Sequence, residues 1–113
     1  MDRVALPQDG SLDFVLIHLN YHDLAPETRI AMNKRILGSL KRGGTYAVVD
    51  HSAKDGTGNA AARTLHRIDK QLVIKEVTGS GFTLAKEGNM LRKPEDPRDF
   101  NVNKERNKDN RFV

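Results

Sequence analysis

The feature that most constrains this chain is a strand–helix–strand signal near its start. Leu12-Asp13-Phe14-Val15-Leu16-Ile17-His18-Leu19 is nearly continuous in apolar residues, and Thr45-Tyr46-Ala47-Val48-Val49 repeats that character after a helical stretch. A run without alternation suits a strand covered on both faces, as in a parallel sheet wrapped by helices. β-branched and aromatic content, with turn formers on either side, argues for strand over buried helix. The connecting helix opens near Ala25-Pro26, with proline in the first turn and Glu27 at the positive end of the helix dipole. Ile30, Ile36, Leu37 and Leu40 fall on one broad face, interrupted by Asn33. Lys41 and Arg42 sit at the negative end and Gly43-Gly44 is the stop. A crossover of this length joins parallel neighbours in a right-handed sense, so the expected class is α/β.

Each strand runs straight into a polar cluster, Asn20-Tyr21-His22-Asp23 after the first and Asp50-His51-Ser52 after the second. Open parallel sheets bind ligands just beyond the carboxyl ends of their strands, so the two clusters mark one edge of a small-molecule site. His22 is suited to general base work near neutral pH, oriented by Asp23 or Asp50, with Asn20 and Tyr21 supplying hydrogen bonds. The plain alternative is a polar loop without chemistry. Imidazoles and a carboxylate also suit zinc or iron, which brings His18, Asn20, His22 and Asp23 into view as ligands. However, two histidines four apart share a face only on a helix, and here they lie on a strand and its loop with no third spaced ligand. No metal is therefore assigned; His18 then reads as a sheet histidine and Asp23 as a cap for the following helix.

A second helical region spans about 60–77, with Leu65, Ile68, Leu72 and Val73 as its buried stripe and Gly79-Ser80-Gly81 as its end. Within it, His66-Arg67-x-Asp69 reads as a solvated face with local ion pairing, or as an arginine holding an anionic ligand. Asp55-Gly56-Thr57-Gly58 is a flexible loop that lacks the lysine of a phosphate-binding loop. Phe82–Glu87 reads as a third strand. Residues 88–110, with Pro94 and Pro97, form a long charged excursion, expected to be partly mobile, and Arg111-Phe112-Val113 starts a last strand.

The 113 residues make room for one domain. The net charge of +4 is interspersed with acids, and two Tyr, four Phe and no Trp leave little to stack on bases, so nucleic acid is not the expected partner. The absence of Cys excludes disulfides, thiolate metal sites and a cysteine nucleophile. No apolar run approaches the ~20 residues of a membrane span, and the N-terminus lacks the apolar stretch of a signal peptide. A cytoplasmic protein is expected.

The run L-P-Q-D-G-S-L-D-F-V-L-I-H-L-N-Y-H-D-L, followed by L-K-R-G-G-T-Y-A-V-V-D-H, H-R-I-D, G-S-G-F and D-P-R-D-F, resembles the C-terminal half of class I S-adenosylmethionine-dependent methyltransferases. The nearest subgroup is one of predicted bacterial methyltransferases with N-Y-H-D and V-D-H-S-A signatures. The match spans nearly the whole chain. L-K-x-G-G and G-F are common across the superfamily, whereas N-Y-H-D with D-H-S-A and H-R-I-D is more specific. The resemblance implies an incomplete Rossmann-like sheet, parallel strands with a C-terminal antiparallel hairpin and helices packed on it. Leu12–Leu19, Thr45–Val49 and Phe82–Glu87 would be the family's fourth to sixth strands, and Arg111-Phe112-Val113 the start of an antiparallel seventh. By the same resemblance Asp2 would contact the adenine of S-adenosylmethionine, and His18, Leu19 and Asn20 would face that cofactor. Tyr21, His22, Asp23, Asp50 and His51 would face an unidentified methyl acceptor.

The sequence departs from the family in two ways. The acidic-x-Gly-x-Gly loop and the ribose-binding acidic residue, which belong to the family's first two strands, are not among these residues, and Arg42 replaces the usual proline of L-K-P-G-G. The expectation is a methyltransferase-like protein lacking the N-terminal cofactor-binding half and inactive as an isolated chain. Its apolar strand Leu12–Leu19 would then need a cover, since an open edge templates pairing with another chain. A homodimer or a partner chain would supply it. The alternatives are a non-enzymatic dimeric or partner-binding module and a small enzyme that uses His18, His22, His51 and Asp50, with or without a metal.

Overall fold

The computed structural model describes residues 6–88, 90–103 and 108–113. Strand β1 (Leu12–His18) leads through a 3-10 turn at Tyr21–Asp23 into helix α1 (Pro26–Ser39). Strand β2 (Leu40–His51) follows directly, then helix α2 (Lys70–Gly79) and the short strand β3 (Arg111–Phe112). The three strands form one mixed sheet in the order β1-β2-β3. β1 pairs parallel to β2, with Val15 opposite Tyr46, Ile17 opposite Val48 and His18 opposite Val49. β3 pairs antiparallel to β2 through Asp50–Phe112 and His51–Arg111, as the reading of Arg111-Phe112-Val113 anticipates. The class is thus α/β. No helix among the described residues is long and apolar enough to cross a membrane.

The glycine pair does not stop α1. The helix ends at Ser39 and β2 begins at Leu40, so Lys41 and Arg42 lie in the strand. Leu12 pairs with Leu40 but Phe14 pairs with Thr45, so β2 spends the extra residues Lys41–Gly44 in a bulge. Gly43 takes φ +84° there, and a Cβ on Gly44 would meet the Lys41 carbonyl at 2.9 Å. A bulge uses glycine for the same reasons a helix terminus does, left-handed backbone and close approach, which is why the sequence signal is ambiguous.

α1 buries Arg29, Met32, Asn33, Ile36 and Ser39, a face displaced from the apolar one read in the sequence: Ile30 and Leu37 are 41% and 40% exposed. Polar partners explain the displacement. Asn33 Nδ2 donates to Tyr21 Oη, and Tyr46 Oη donates to Asn33 Oδ1, both at 2.9 Å. The Arg29 guanidinium grips Glu76 of α2 through two 2.8 Å hydrogen bonds. Burying such groups is tolerated because each is satisfied. Burial pushes the Tyr21 and Tyr46 hydroxyls well above the usual tyrosine range.

Both helices share one core with Val15, Ile17, Tyr46 and Val48. Side chains alternate across a strand, so Phe14 and Leu16 face the other side, where they are 56% and 50% exposed. β1 is therefore covered on one face, not on both.

Two elements differ from the sequence reading. The helix placed at 60–77 occupies only Lys70–Gly79; residues 54–65 are mainly turns. Asp69 caps α2 by accepting from Gln71 N at 3.0 Å. Its other oxygen accepts from Gly56 N and Gly58 N at 3.0 and 3.2 Å, which pins the Asp55–Gly58 loop. Phe82–Glu87 joins no ladder, so β3 is a lone antiparallel strand and the hairpin is absent. Phe82 instead packs its ring on Tyr46 at 5.2 Å, and Gly88 N reaches Val113 O at 3.1 Å. In the charged excursion the described residues carry neither helix nor strand, yet Asp96, Val102, Asp109 and Asn110 are buried.

Candidate functional site

Leaving β1, the chain turns sharply at Leu19, which takes φ 61° and is held by its N–H to Val49 O at 2.7 Å. A left-handed non-glycine residue is sparsely populated and clusters at functional turns. The turn delivers His22 onto the end of β2. There the Asp50 carboxylate, fully buried, accepts from His22 N at 2.8 Å and His51 N at 2.7 Å. The same carboxylate lies 2.7 Å from His22 Nδ1. The two clusters beyond the parallel strands are thus one unit, with Asp50 as its centre, and Asp50 orients His22.

His22 is buried. Burial alone would lower its pKa, but the hydrogen bond and charge of Asp50, with the charge of Asp23, outweigh that and hold it above the ordinary histidine value. Its other ring nitrogen, Nε2, lies 3.1 Å from Asp23 Oδ1. Asp23 is therefore a neighbour of the imidazole and not a helix cap; α1 has Ala25 at that position, with no side-chain cap.

His51 is buried beside it, 5.8 Å between ring centroids, with Nδ1 2.5 Å from Asp109 Oδ2. Asp109 Oδ1 has no hydrogen-bond partner among the described residues. The site therefore contains two carboxylate–imidazole pairs side by side. The second takes its acid from the segment read as a charged excursion. Nothing in the local sequence pairs Asp109 with His51; only the antiparallel return of β3 along β2 does.

The remaining expected site residues scatter. Tyr21 is in the core, its hydroxyl donating to Glu76 at 3.0 Å, and takes no part in the His22 cluster. His18 and Asn20 are exposed and Leu19 is half-buried. Asp2 lies outside the described residues. Arg67 is neither solvated nor open to a ligand: its guanidinium is buried and grips Asp96 at 2.7 and 3.1 Å.

A second residue that the sequence reading left outside the site, besides Asp109, is His66. Its ring stands 5.7 Å from that of His22 and its Nδ1 is 4.0 Å from Asp23 Oδ1. It sits in left-handed backbone, φ 56°, a conformation in which histidine is enriched among non-glycine residues. A cavity of about 190 Å³ opens here, lined by His22, Asp23, Pro26, Ala62, Arg63 and His66 among others. A larger cavity of about 410 Å³, lined by Tyr46, Val73, Val77, Phe82, Leu84 and Met90 among others, lies against the middle of β2.

No family model and no curated protein matches this chain.

Proposed function

We propose that the chain is a methyltransferase-like α/β module whose Asp50-centred cluster is the acceptor side of a small-molecule site. One observation carries the reading: two parallel strands and an antiparallel neighbour meet at β2, and both parallel strands end in the joined cluster of His22, Asp23, Asp50 and His51. That strand order and that site position are what an incomplete Rossmann-like methyltransferase sheet would present.

The residues present do not fit S-adenosylmethionine by themselves. No acidic-x-Gly-x-Gly loop occurs among the 113 residues. The cavity of about 190 Å³ beside His22 is below the roughly 300–1,000 Å³ that holds a ligand of that size. These residues alone are therefore proposed to be inactive, and affinity for the cofactor should be no better than about millimolar, roughly 4 kcal/mol. Calorimetry measures that affinity, and amide spectra at millimolar S-adenosylmethionine locate it. Shifts confined to His18, Leu19, Asn20 and their neighbours are expected. Micromolar binding would overturn the claim of inactivity; shifts absent or centred elsewhere would overturn the methyltransferase reading.

The exposed pair Phe14 and Leu16 favours a second reading, a non-enzymatic dimeric module in which another copy of this chain covers the bare face and open edge of β1. Apolar residues on an unpaired edge mark such interfaces. Light scattering should return a dimer that Phe14→Lys dissociates; a monodisperse, folded monomer of the parent chain would remove this reading.

A further inference from the structure

We propose that His22, Asp23 and His66 form a binding site for a divalent transition-metal ion such as zinc, with open coordination positions facing the cavity beside Arg63. The inference does not depend on the methyltransferase reading. One ligand atom from each of the three residues lies within 4.8 Å of the others. His22 Nε2 and Asp23 Oδ1 are 3.1 Å apart, and His66 Nδ1 and Asp23 Oδ1 are 4.0 Å apart. Ligands held about 2.0–2.2 Å from a tetrahedral ion stand roughly 3.3–3.5 Å from one another. The first pair stands just inside that spacing, the second needs to close by about half an ångström, and the His22–His66 pair, no farther apart than 4.8 Å, by up to about 1.5 Å. Asp23 and His66 have side chains 58% and 32% exposed, so both have room to move, whereas His22 is fixed.

The fixing of His22 is itself the second argument. Its Nδ1 is bound to the buried Asp50 carboxylate, which holds a proton on Nδ1 and leaves Nε2 as the ring nitrogen able to ligate. A carboxylate behind a ligating imidazole is the usual outer shell of a metal-bound histidine, setting its tautomer and raising its basicity. Nε2 faces the Asp23 oxygen at 3.1 Å, where a bound ion would take the place of the proton that the charged imidazole shares with that carboxylate. The second imidazole approaching the same carboxylate makes that position a three-ligand one. Two imidazoles and one carboxylate with open positions are the donor set of catalytic zinc and of non-haem iron centres. Arg63 on the cavity wall would favour an anionic or carbonyl oxygen as the further ligand.

The site escapes sequence reading because H-x3-H pairs His18 with His22, and the structure uses only the second. His66 reaches the cluster through the turn before α2, where Ile68 bridges in parallel to Ser52 at the end of β2.

The test uses tag-free chain stripped with a chelator, titrated with Zn²⁺ by calorimetry and with Co²⁺ by visible absorption. One ion per chain is expected, with a Co²⁺ d–d band of imidazole–carboxylate coordination. Asp23→Asn and His66→Asn should each weaken Zn²⁺ at least about tenfold, the smaller end of what even an outer-shell loss costs. Asparagine is chosen at position 66 because it tolerates the left-handed backbone; Asp23 is exposed, so its variant should fold regardless. His18→Ala should bind as the parent does. Absence of stoichiometric binding, parent-like binding by Asp23→Asn, or loss of binding in His18→Ala would each overturn the proposal.

Discussion

Replacing Arg67 with methionine should remove a large share of this fold's stability, and the size of the loss can be worked from its contacts. The Arg67 guanidinium donates to Asp96 at 2.7 and 3.1 Å, to Ser52 O at 2.8 Å and to Phe100 O at 3.1 Å. It also lies 4.6 Å over the Phe100 ring. Both charged side chains are fully buried. Methionine fills most of the volume but strands the Asp96 carboxylate with two backbone donors, Asn110 N at 2.7 Å and Arg98 N at 2.8 Å. Removing one partner of a buried pair costs about 3–5 kcal/mol, against a total of about 5–15 kcal/mol for a domain. With a urea slope of about 2 kcal/mol/M, the unfolding midpoint should fall by roughly 2 M. Arg67→Met with Asp96→Leu removes both charges together, and the double variant should recover at least about 2 kcal/mol over the sum of the two single losses.

The same pair fixes a pH dependence. Burial alone would raise the Asp96 pKa, but the Arg67 hydrogen bonds and the Asn110 and Arg98 amides outweigh it and hold the group below its ordinary value. A depressed folded-state pKa means that the stabilisation is present above the unfolded value of about 4 and is lost as pH falls through the folded one. The difference between parent and Asp96→Asn, measured by urea melts, should therefore be constant from neutral pH down to about 4 and shrink below it. A loss of less than about 1 kcal/mol in Arg67→Met at neutral pH, or strict additivity in the double variant, would refute the reasoning that this pair latches Asp96, Phe100 and Asn110 to the end of β2.

Asp69→Ala should cost about 1–2 kcal/mol from the lost cap, and amide exchange should accelerate at Gly56 and Gly58, which donate to the same carboxylate; an unchanged loop would mean that Asp69 caps α2 without pinning it. Tyr46→Phe removes the hydroxyl that donates to Asn33 Oδ1 and should cost about 1–3 kcal/mol with the exchange pattern of α1 otherwise retained. A neutral Tyr46→Phe would show that Asn33 finds another donor.

How far the sequence carries the reader depends on the reach of each contact. The parallel β1/β2 pair was legible because its signal is local: apolar runs, a proline at the helix start and a crossover of the right length. The apolar stripe of α1 misled because hydrophobicity alone cannot foresee that Asn33 and Arg29 would be buried; their partners Tyr46 and Glu76 come from other elements. Gly43-Gly44 and Phe82–Glu87 misled for a related reason, since a bulge borrows the signature of a helix stop and the Phe82 segment packs its ring on Tyr46 without joining a ladder. At the site the division is the same. His22, Asp23, Asp50 and His51 follow from the rule that chemistry gathers at the carboxyl ends of parallel strands. Asp109 and His66 arrive from the antiparallel return and from the turn before α2, and no spacing rule connects them to His22. Those two residues convert a pair of polar loops into adjacent carboxylate–imidazole pairs with a third ligand at hand. The most chemically specific feature of this chain is therefore a product of its tertiary contacts, which is why a metal reading founded on His18 and His22 lacked the partner it needed.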